Sequence, residues 1–424
     1  LSNQTVPVRS KVGLRTAFSS LQGNRRFRLL WFSNLFFFGG VWTQTLVLGW
    51  LAFELTQSEF LVAVYTAVRL APMFLGPIAG AFADRHNKIR LLMVACGWAA
   101  VAVSIVAGLA TAGLLSYWVL VAGGLAIGLA QSPSQPARAS LVLEFVGREN
   151  LSNANALNSM ALSMTQVIGP ALGGVMIATI GAPSALWVST GWYGMSLLLI
   201  MPLRSYTTAV ESHAMSVLSM VKSGFLIISR NRLAVAVLLV TLAANTLLWP
   251  VFQSFMPVFA AESLGLNAAG LGILLTCAGV GGFIGSVIIA GMGDFRYKGG
   301  LFVFGTATWS ALWAAFALSH VPWLSFLLMG LIGMASAAFG VLQTTLLLMT
   351  TEPAVHGRAL GLQELAIGIM PISTLALGII AEYVGVSFTA FGASLLLIVA
   401  LGILAIKVPT LLTFSGRRST ETIV

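Results

Sequence analysis

Apolar residues run along this chain in long uninterrupted blocks separated by short polar stretches. The blocks lie at about 29–53, 60–83, 91–111, 117–137, 151–179, 184–203, 232–260, 268–292, 300–319, 322–349, 359–381 and 386–406. Within each the apolar character is continuous, with none of the strict alternation of a half-buried strand. A barrel strand needs only ~10 residues, whereas a helix needs about 20 to cross the hydrocarbon core of a bilayer. The pattern predicts an all-α membrane protein of twelve transmembrane helices. The first block is too long for the apolar core of a signal peptide and lacks an Ala-x-Ala exit, so it reads as a retained span.

Composition narrows this further. Charged residues make up 8% of the 424 positions and hydrophobic residues 58%, with a mean hydropathy of +0.95. A soluble domain cannot cover its surface with so few charges, so a soluble enzyme, a disordered chain and a fibrous protein are all excluded. The net charge of +10 first suggests nucleic acid, but its distribution gives another meaning. Arg9, Lys11, Arg15, Arg25, Arg26 and Arg28 precede span 1. Arg85, Lys88 and Arg90 follow span 2, and Arg138 and Arg148 follow span 4. Arg204, Lys222, Arg230 and Arg232 occupy the 6–7 connection, Arg296 and Lys298 the 8–9 loop, Arg358 the 10–11 loop, and Lys407, Arg417 and Arg418 the tail. The alternate loops carry only Glu54, Glu59, Glu262 and Glu382. This asymmetry predicts both termini in the cytoplasm and a positive face toward anionic membrane lipid, with no nucleic-acid partner.

The longest polar connection splits the spans six and six. The expected organisation is a cytoplasmic segment 1–26, a six-helix bundle 27–204, a cytoplasmic linker 205–230 with an interfacial helix, a second bundle 231–407 and a tail 408–424. Val217, Val221, Phe225 and Ile228 have the spacing of that interfacial helix, though a plain linker fits as well. Asp84 and Lys88 recur as Asp294 and Lys298, and Gly147-Arg148 recurs as Gly357-Arg358, all shifted by 210 residues. Two loops at one shift indicate a six-plus-six repeat.

Gly80-Ala-Phe-Ala-Asp84-Arg85-His86-Asn87-Lys88-Ile89-Arg90 resembles the loop 2–3 signature of the major facilitator superfamily, with Asn87 in place of a glycine. Asp84 is an anion at the membrane face, able to cap a neighbouring helix or pair with Arg. By resemblance this loop latches the outward-facing state. Gly169-Pro170-Ala171-Leu172-Gly173-Gly174 in span 5 resembles the antiporter motif of drug-exporting members; ordinary small-residue packing is the other reading. Asn24-Arg25-Arg26-Phe27-Arg28-Leu29, Phe53 to Ser58, Pro136-Ala137-Arg138 and Asn153 to Ser159 extend the resemblance over the whole chain, toward the branch of the enterobactin exporter and macrolide-efflux proteins. One departure is that span 4 lacks the buried Arg of the Arg-x-x-x-Gly motif linked to proton coupling in many drug antiporters.

Two ionisable side chains fall within the spans. Arg69 lies 15 residues, about 22 Å of helix, before Asp84, and Glu364 about 9 Å inward from Arg358. Charge at such depth is expensive and should face a cavity or a partner. In the fold this chain resembles, spans 2 and 11 face each other, so Arg69 and Glu364 are expected on the transport path and able to pair. Glu364 is the candidate for proton coupling; solvation from the cytoplasm is its other reading, and a bond to helix carbonyls is that of Arg69. Spans 1, 4, 7 and 10 line the cavity in that fold. The candidate cavity residues are Asn34, Trp42, Gln44, Gln131, Gln135, Asn158, Gln166, Asn245, Trp249, Gln253 and Gln343, each of which would serve equally as an interhelical hydrogen bond. Trp249 and Gln253 share a helix face, and Pro250 and Pro257 are expected to break span 7 as a gate. The candidate coupling and gating residues are Arg69, Glu364, Asp84, Arg85, Lys88, Gly169, Pro170, Gly173, Gly174, Asp294 and Arg358.

Gly281 and Gly285 form a packing face, not a dinucleotide loop. No Walker motif is present. His86, His213, His320 and His356 are scattered, and Cys96 and Cys277 stand alone, so no metal or other cofactor is expected. Together these features predict a non-enzymatic transporter in the bacterial inner membrane, exporting a small amphiphilic solute by alternating access with protons as the coupling partner, and acting as a monomer. A lysophospholipid or lipid-precursor flippase, a sensor and a channel remain alternatives.

Overall fold

The computed structural model describes residues 21, 23–75, 86–206, 225, 226, 228–292, 297–352 and 355–415. Asp84, Arg85 and Asp294 lie outside the described residues, as does most of the expected interfacial helix. Among the described residues the fold is all helical. Helix α1 is Arg25–Thr56. Helix α2 is Glu59–Leu70, continued by a tight 3₁₀ turn over Ala71–Leu75. Helix α3 is Lys88–Thr111. The chain then runs helically over Tyr117–Ile180, but Gly147 has φ 70° and ψ 175°, which divides it into α4 (117–146) and α5 (148–180). The second half begins after α6, Ala182–Ile200, with α7, Arg232–Ser263. It continues through α8, Ala268–Gly291, α9, Lys298–Ala317, α10, Pro322–Thr350, α11, His356–Val384, and α12, Val386–Lys407. Ten of these are long and apolar enough to cross a membrane on those grounds alone. The other two are α2 and α4, so the count is consistent with twelve.

The repeat is visible in how the helices begin. Asn24 caps α1 by accepting from the Arg26 and Phe27 N–H groups, and its Nδ2 donates to Phe145 O at the end of α4. Asn231 caps α7 in the same way and donates to Thr350 O at the end of α10. One side chain thus satisfies orphan groups on two helix ends that lipid cannot hydrate. Gly181 and Gly385, both at φ 83°, make the tight turns into α6 and α12; L-residues rarely adopt that conformation.

Two expectations change. Pro250 and Pro257 do not break span 7: α7 stays helical and loosens into π-helical turns at Val251–Phe255 and Phe259–Ser263. A wider turn accommodates a ring that cannot donate to the preceding turn. Span 4 also runs past its predicted end at 137, so Arg138 lies within a helix and not in a cytoplasmic loop, and is 2% exposed. Span 4 therefore holds a buried Arg, outside any Arg-x-x-x-Gly motif, since Val142 stands four residues on.

Helix packing rests on close backbone approach. A Cβ on Gly281 or Gly285 would overlap the Gly330 or Met334 carbonyl of α10, and one on Gly333 would overlap Ala278 O of α8. Replacing Asn24 or Asn231 by Ala should lower stability by about 1 kcal/mol each, the usual worth of an N-cap, and more where the cross-helix bond is also lost. Thermal melting in detergent checks this.

Candidate transport site

The two halves meet along two helix pairs. A Cβ on Gly378 of α11 would overlap Ala63 of α2, and deeper in the pair one on Gly368 would lie 3.5 Å from Phe74 Cα. In the other pair, a Cβ on Gly174 of α5 would lie 2.8 Å from Gly272 Cα of α8, and one on Gly279 would lie 2.9 Å from Gln166 O. The glycines of the span 5 motif divide their work. Gly174 faces the opposite half, whereas a Cβ on Gly169 would lie 2.7 Å from Trp42 Cβ and one on Gly173 would lie 3.3 Å from Thr43 O, both on α1. Thr43 Oγ1 donates to Gly169 O at 3.2 Å.

At the end remote from the termini, α2 is fastened to α11 and α12 by reciprocal caps. Glu382, at the end of α11, accepts from Ser58 Oγ and Phe60 N, both at 3.0 Å. Glu59, first residue of α2, accepts from Val386 N at the start of α12, at 3.3 Å. Each carboxylate sits at the positive end of a helix in the other half. Glu59 stands at the mouth, outside the predicted span. Burial pushes its carboxyl up to about 7; the Val386 N–H works against this, while Glu262 and Glu382 add to the rise. Toward the termini the first half has its own core of Phe27, Leu30, Ile89, Leu92, Leu141 and neighbours, which among the described residues contains nothing from the second half.

A cavity lies in the seam, between Trp42, Gln166 and Pro170 of the first half and Trp249, Phe252, Leu275, Gly279, Trp309, Trp313 and Ser336 of the second. Its space for water-sized molecules is about 70 Å³, well under the 300–1,000 Å³ of drug-sized sites. Its rings meet edge to face: Trp249 with Trp309 at 5.9 Å, Trp249 with Phe252 at 5.8 Å, and Phe252 with Trp313 at 6.4 Å. The Nε1 groups of Trp309 and Trp313 are buried and have no acceptor among the described residues. Each unpaired buried donor costs about 1–3 kcal/mol.

Three of the candidate cavity residues, Trp42, Gln166 and Trp249, line this space. Asn34 and Asn158 instead bond to each other at 2.8 Å within the first half. Asn34 Oδ1 also accepts from Arg138. Arg138 further donates to Ser33 Oγ and Cys96 Sγ, each at 3.4 Å, and its guanidinium lies 4.3 Å from the centre of the Phe37 ring. A guanidinium can be buried here because amide, hydroxyl, thiol and π-face replace water. Its counterpart on α10, 205 residues on, is Gln343, whose Oε1 is buried and unpartnered among the described residues.

Gln44 is buried with both amide atoms unpartnered among the described residues, Gln131 is half-buried with its Nε2 unpartnered among them, and Gln135 is exposed. Asn245 Nδ2 donates to Thr241 O on its own helix, and Gln253 is half-buried in the first π turn of α7. Arg69 is 4% exposed and donates to Thr45 Oγ1 at 3.0 Å. Glu364 is exposed, and no ion pair joins the two among the described residues, so this conformation does not bring them together. Lys88 and Lys298 are the buried first residues of α3 and α9, and Lys298 Nζ donates to Ser415 O at 3.1 Å. Arg358 is half-buried in the first turn of α11.

Sequence reasoning missed Arg138, the Glu59 and Glu382 caps, and Trp309 and Trp313. The tryptophans carried a signal, being one helical turn apart. Trp42 and Trp249 carried another: they are 207 residues apart, as are Asn24 and Asn231.

Two matched sets of apolar helices with a cavity in the seam define a polytopic membrane transporter of the major facilitator fold. Residues 15–416 match the family model described as transmembrane secretion effector, and the chain belongs to that major facilitator family. It is a transporter and not an enzyme. It is 24% identical over 372 residues to the multidrug efflux pump Tap of Mycolicibacterium fortuitum, covering 85% of this chain and 90% of that protein. It is 27% identical over 316 residues to the enterobactin exporter EntS of Citrobacter koseri, covering 73% of each. Its fold matches the crystal structure of a POT family peptide transporter with a TM-score of 0.73 at 10% identity, over 92% of this chain and 96% of that one.

Replacing Arg138 by Lys should destabilise the first half by about 2 kcal/mol, since one ammonium cannot reach all three partners and the remaining acceptors stay buried. Replacing Arg204, an exposed residue, by Lys should leave stability within about 0.5 kcal/mol. Melting of the two variants in detergent, side by side, measures the difference.

Proposed function

We propose that the protein exports a small amphiphilic molecule from the cytoplasm by alternating access, driven by protons moving inward. The observation that carries this reading is that the reciprocal caps across the seam lie at the end remote from the termini, while near the termini the first half has a core of its own among the described residues. With the termini in the cytoplasm, as the charge asymmetry predicts, this is a state closed to the outside. Export then requires the caps to part and the termini side to close, the task assigned by resemblance to Asp84, Arg85, Lys88 and Asp294. The efflux and siderophore-export names of the relatives support the outward direction and the amphiphilic class. Aromatic and amide groups in the seam suit such a solute better than a sugar phosphate.

The caps supply a link to protons. Glu59 has a carboxyl raised to about 7 in the closed state and becomes solvated, at its ordinary value near 4.5, when the halves part. A group whose pKa is higher in the closed state favours that state when protonated. Closure is therefore helped as the outside pH falls through about 7, fully so below about 4.5, and opposed above 7. An outside proton thus favours the closed, inward-facing gate; Glu59 stays at the outer mouth and regulates that gate without itself carrying the coupling proton across.

Everted membrane vesicles with an acid lumen test this, because the lumen contacts the Glu59 side. Uptake of ethidium or of a catecholate siderophore should require the pH gradient and collapse with a protonophore; gradient-independent uptake of every responsive solute overturns antiport. With the gradient clamped, acidifying the lumen from about 8 to about 6 should speed the return step in the wild type, and Glu59→Gln should flatten that dependence. An unchanged profile in Glu59→Gln removes the gate role.

A further inference from the structure

We propose that the second half binds one anionic diacyl phospholipid on its outer wall, from the leaflet on the side of the termini. One acyl chain fills the groove between α7 and α12, the other fills the groove between α7 and α11, and Arg232 and Lys407 pair with the phosphate. The site is separate from the seam and independent of the export reading. The first groove lies between Ala243 and Leu247 of α7 and Leu397 and Ala400 of α12, has about 580 Å³ of space, and ends at Lys407. The second, of about 390 Å³, lies between Leu238 of α7 and Leu362 and Ile369 of α11, with Ile228 at its end. Leu239, Leu242, Leu396 and Ile403 are exposed along these grooves. Leu239 and Leu242 line both, so one ridge of α7 separates them, as one lipid with two chains would straddle it. The first groove follows α12 from Leu396 to Lys407, about 16 Å of helix. One leaflet's share of the hydrocarbon core is about 15 Å.

Charge selects the headgroup. Lys407 is the one charged side chain that lines either groove among the described residues. Arg232 lies seven residues before Leu239, so it continues the same face of α7 toward the same end. Both are exposed, and neither has an ion-pair partner among the described residues. Glu364, two residues from Leu362 and from Ala366 of the second lining, lies on the opposite side of α11. Basic sites between helices at the membrane face take anionic headgroups. A zwitterionic lipid brings its own ammonium to the same two cations.

The first groove is a departure of the second half from the repeat. In the first half the matching helices α1 and α6 pack closely: a Cβ on Gly39 would lie 3.1 Å from the Trp192 ring, and one on Gly40 would lie 3.1 Å from the Tyr193 ring. Asn24 and Asn231 set a shift of 207 from α1 to α7, and Gly181 and Gly385 set a shift of 204 from α6 to α12. At those shifts Gly39 and Gly40 become Thr246 and Leu247, and Trp192 and Tyr193 become Leu396 and Leu397. All four of these second-half residues line the groove. Side chains stand where glycines would admit the neighbouring helix, and aliphatic groups stand where rings would fill the space. An acyl chain restores the packing that a void forfeits, and packing is what holds helices together in lipid.

The test uses delipidated full-length protein in detergent, titrated with dioleoyl phosphatidylglycerol or dioleoyl phosphatidylcholine, with bound lipid counted by native mass spectrometry. The first phosphatidylglycerol should bind about thirtyfold tighter than the first phosphatidylcholine, the preference that two cations give at a membrane surface. In the double variant Arg232→Gln, Lys407→Gln that ratio should fall to about one, with phosphatidylcholine affinity kept. Arg90→Gln with Arg204→Gln removes the same charge from exposed positions of the first half and should leave the ratio unchanged. Ala243→Phe with Ala400→Phe fills the first groove and should weaken the first phosphatidylglycerol about tenfold with both cations present, the worth of about two buried methylenes. Equal binding of the two lipids by the wild type, a ratio that survives the loss of Arg232 and Lys407, an equal fall in both charge variants, or full binding in the filled variant overturns the proposal. So does a dimer that the filled variant loses, or displacement of phosphatidylglycerol by ethidium, since a second copy or an exported solute would then be the occupant. The wild-type comparison stands even if a variant fails to fold.

Discussion

Close backbone approach at glycine holds this molecule together. Lipid tails are as apolar as leucine, so burying leucine against leucine gives helices little reason to associate in a bilayer; van der Waals packing and interhelical hydrogen bonds must do it. At Gly281, Gly285 and Gly333 the backbones of α8 and α10 come so near that no side chain fits. The same device joins α5 to α8 through Gly174 and Gly272, and α2 to α11 through Gly378. Within a half such a crossing makes a rigid bundle. Between halves it makes a smooth seam with few interlocking side chains, which two rigid bodies can part along.

Polar groups then mark the places where that seam and the bundles are not interchangeable. Arg138 is locked inside the first half by Asn34, Ser33 and Cys96, whereas the matching position in the second half holds Gln343. The aromatic box is built by α7 and α9, whereas the matching α3 positions are Ala99 and Val103. At the end remote from the termini charged groups cross the seam, through Glu59 and Glu382 acting on helix ends of the opposite half. The halves share a scaffold by repetition and divide the chemistry by departing from it.

The helical class, the spans and the repeat were legible from one chain because each depends on a local or periodic property. Twenty apolar residues are long enough to span whatever they pack against, and Asn24 and Asn231, 207 residues apart, cap matching helix starts. The family was legible in contiguous motifs for the same reason. Arg138 was misplaced because its position follows Pro136 at the end of an apolar run, where a proline ordinarily signals a boundary; here α4 continues for two further turns and carries the charge inward. The breaks expected at Pro250 and Pro257 failed for a related reason. A helix inside a bundle can widen into π turns instead of ending, because its neighbours keep it in place.

What the sequence determined by itself was therefore the solvent this protein lives in, its helices, their pairing into two similar halves and the family to which it belongs. Which glycine faces which half, which asparagine serves Arg138 and which lines nothing, and which carboxylate caps which helix were decided only by tertiary structure. Those contacts join residues more than 100 positions apart, as between Asn34 and Asn158, or more than 300 apart, as between Phe60 and Glu382. No periodicity within a single helix records its azimuth when nearly every face is apolar, so only the packed bundle assigns each polar side chain its partner.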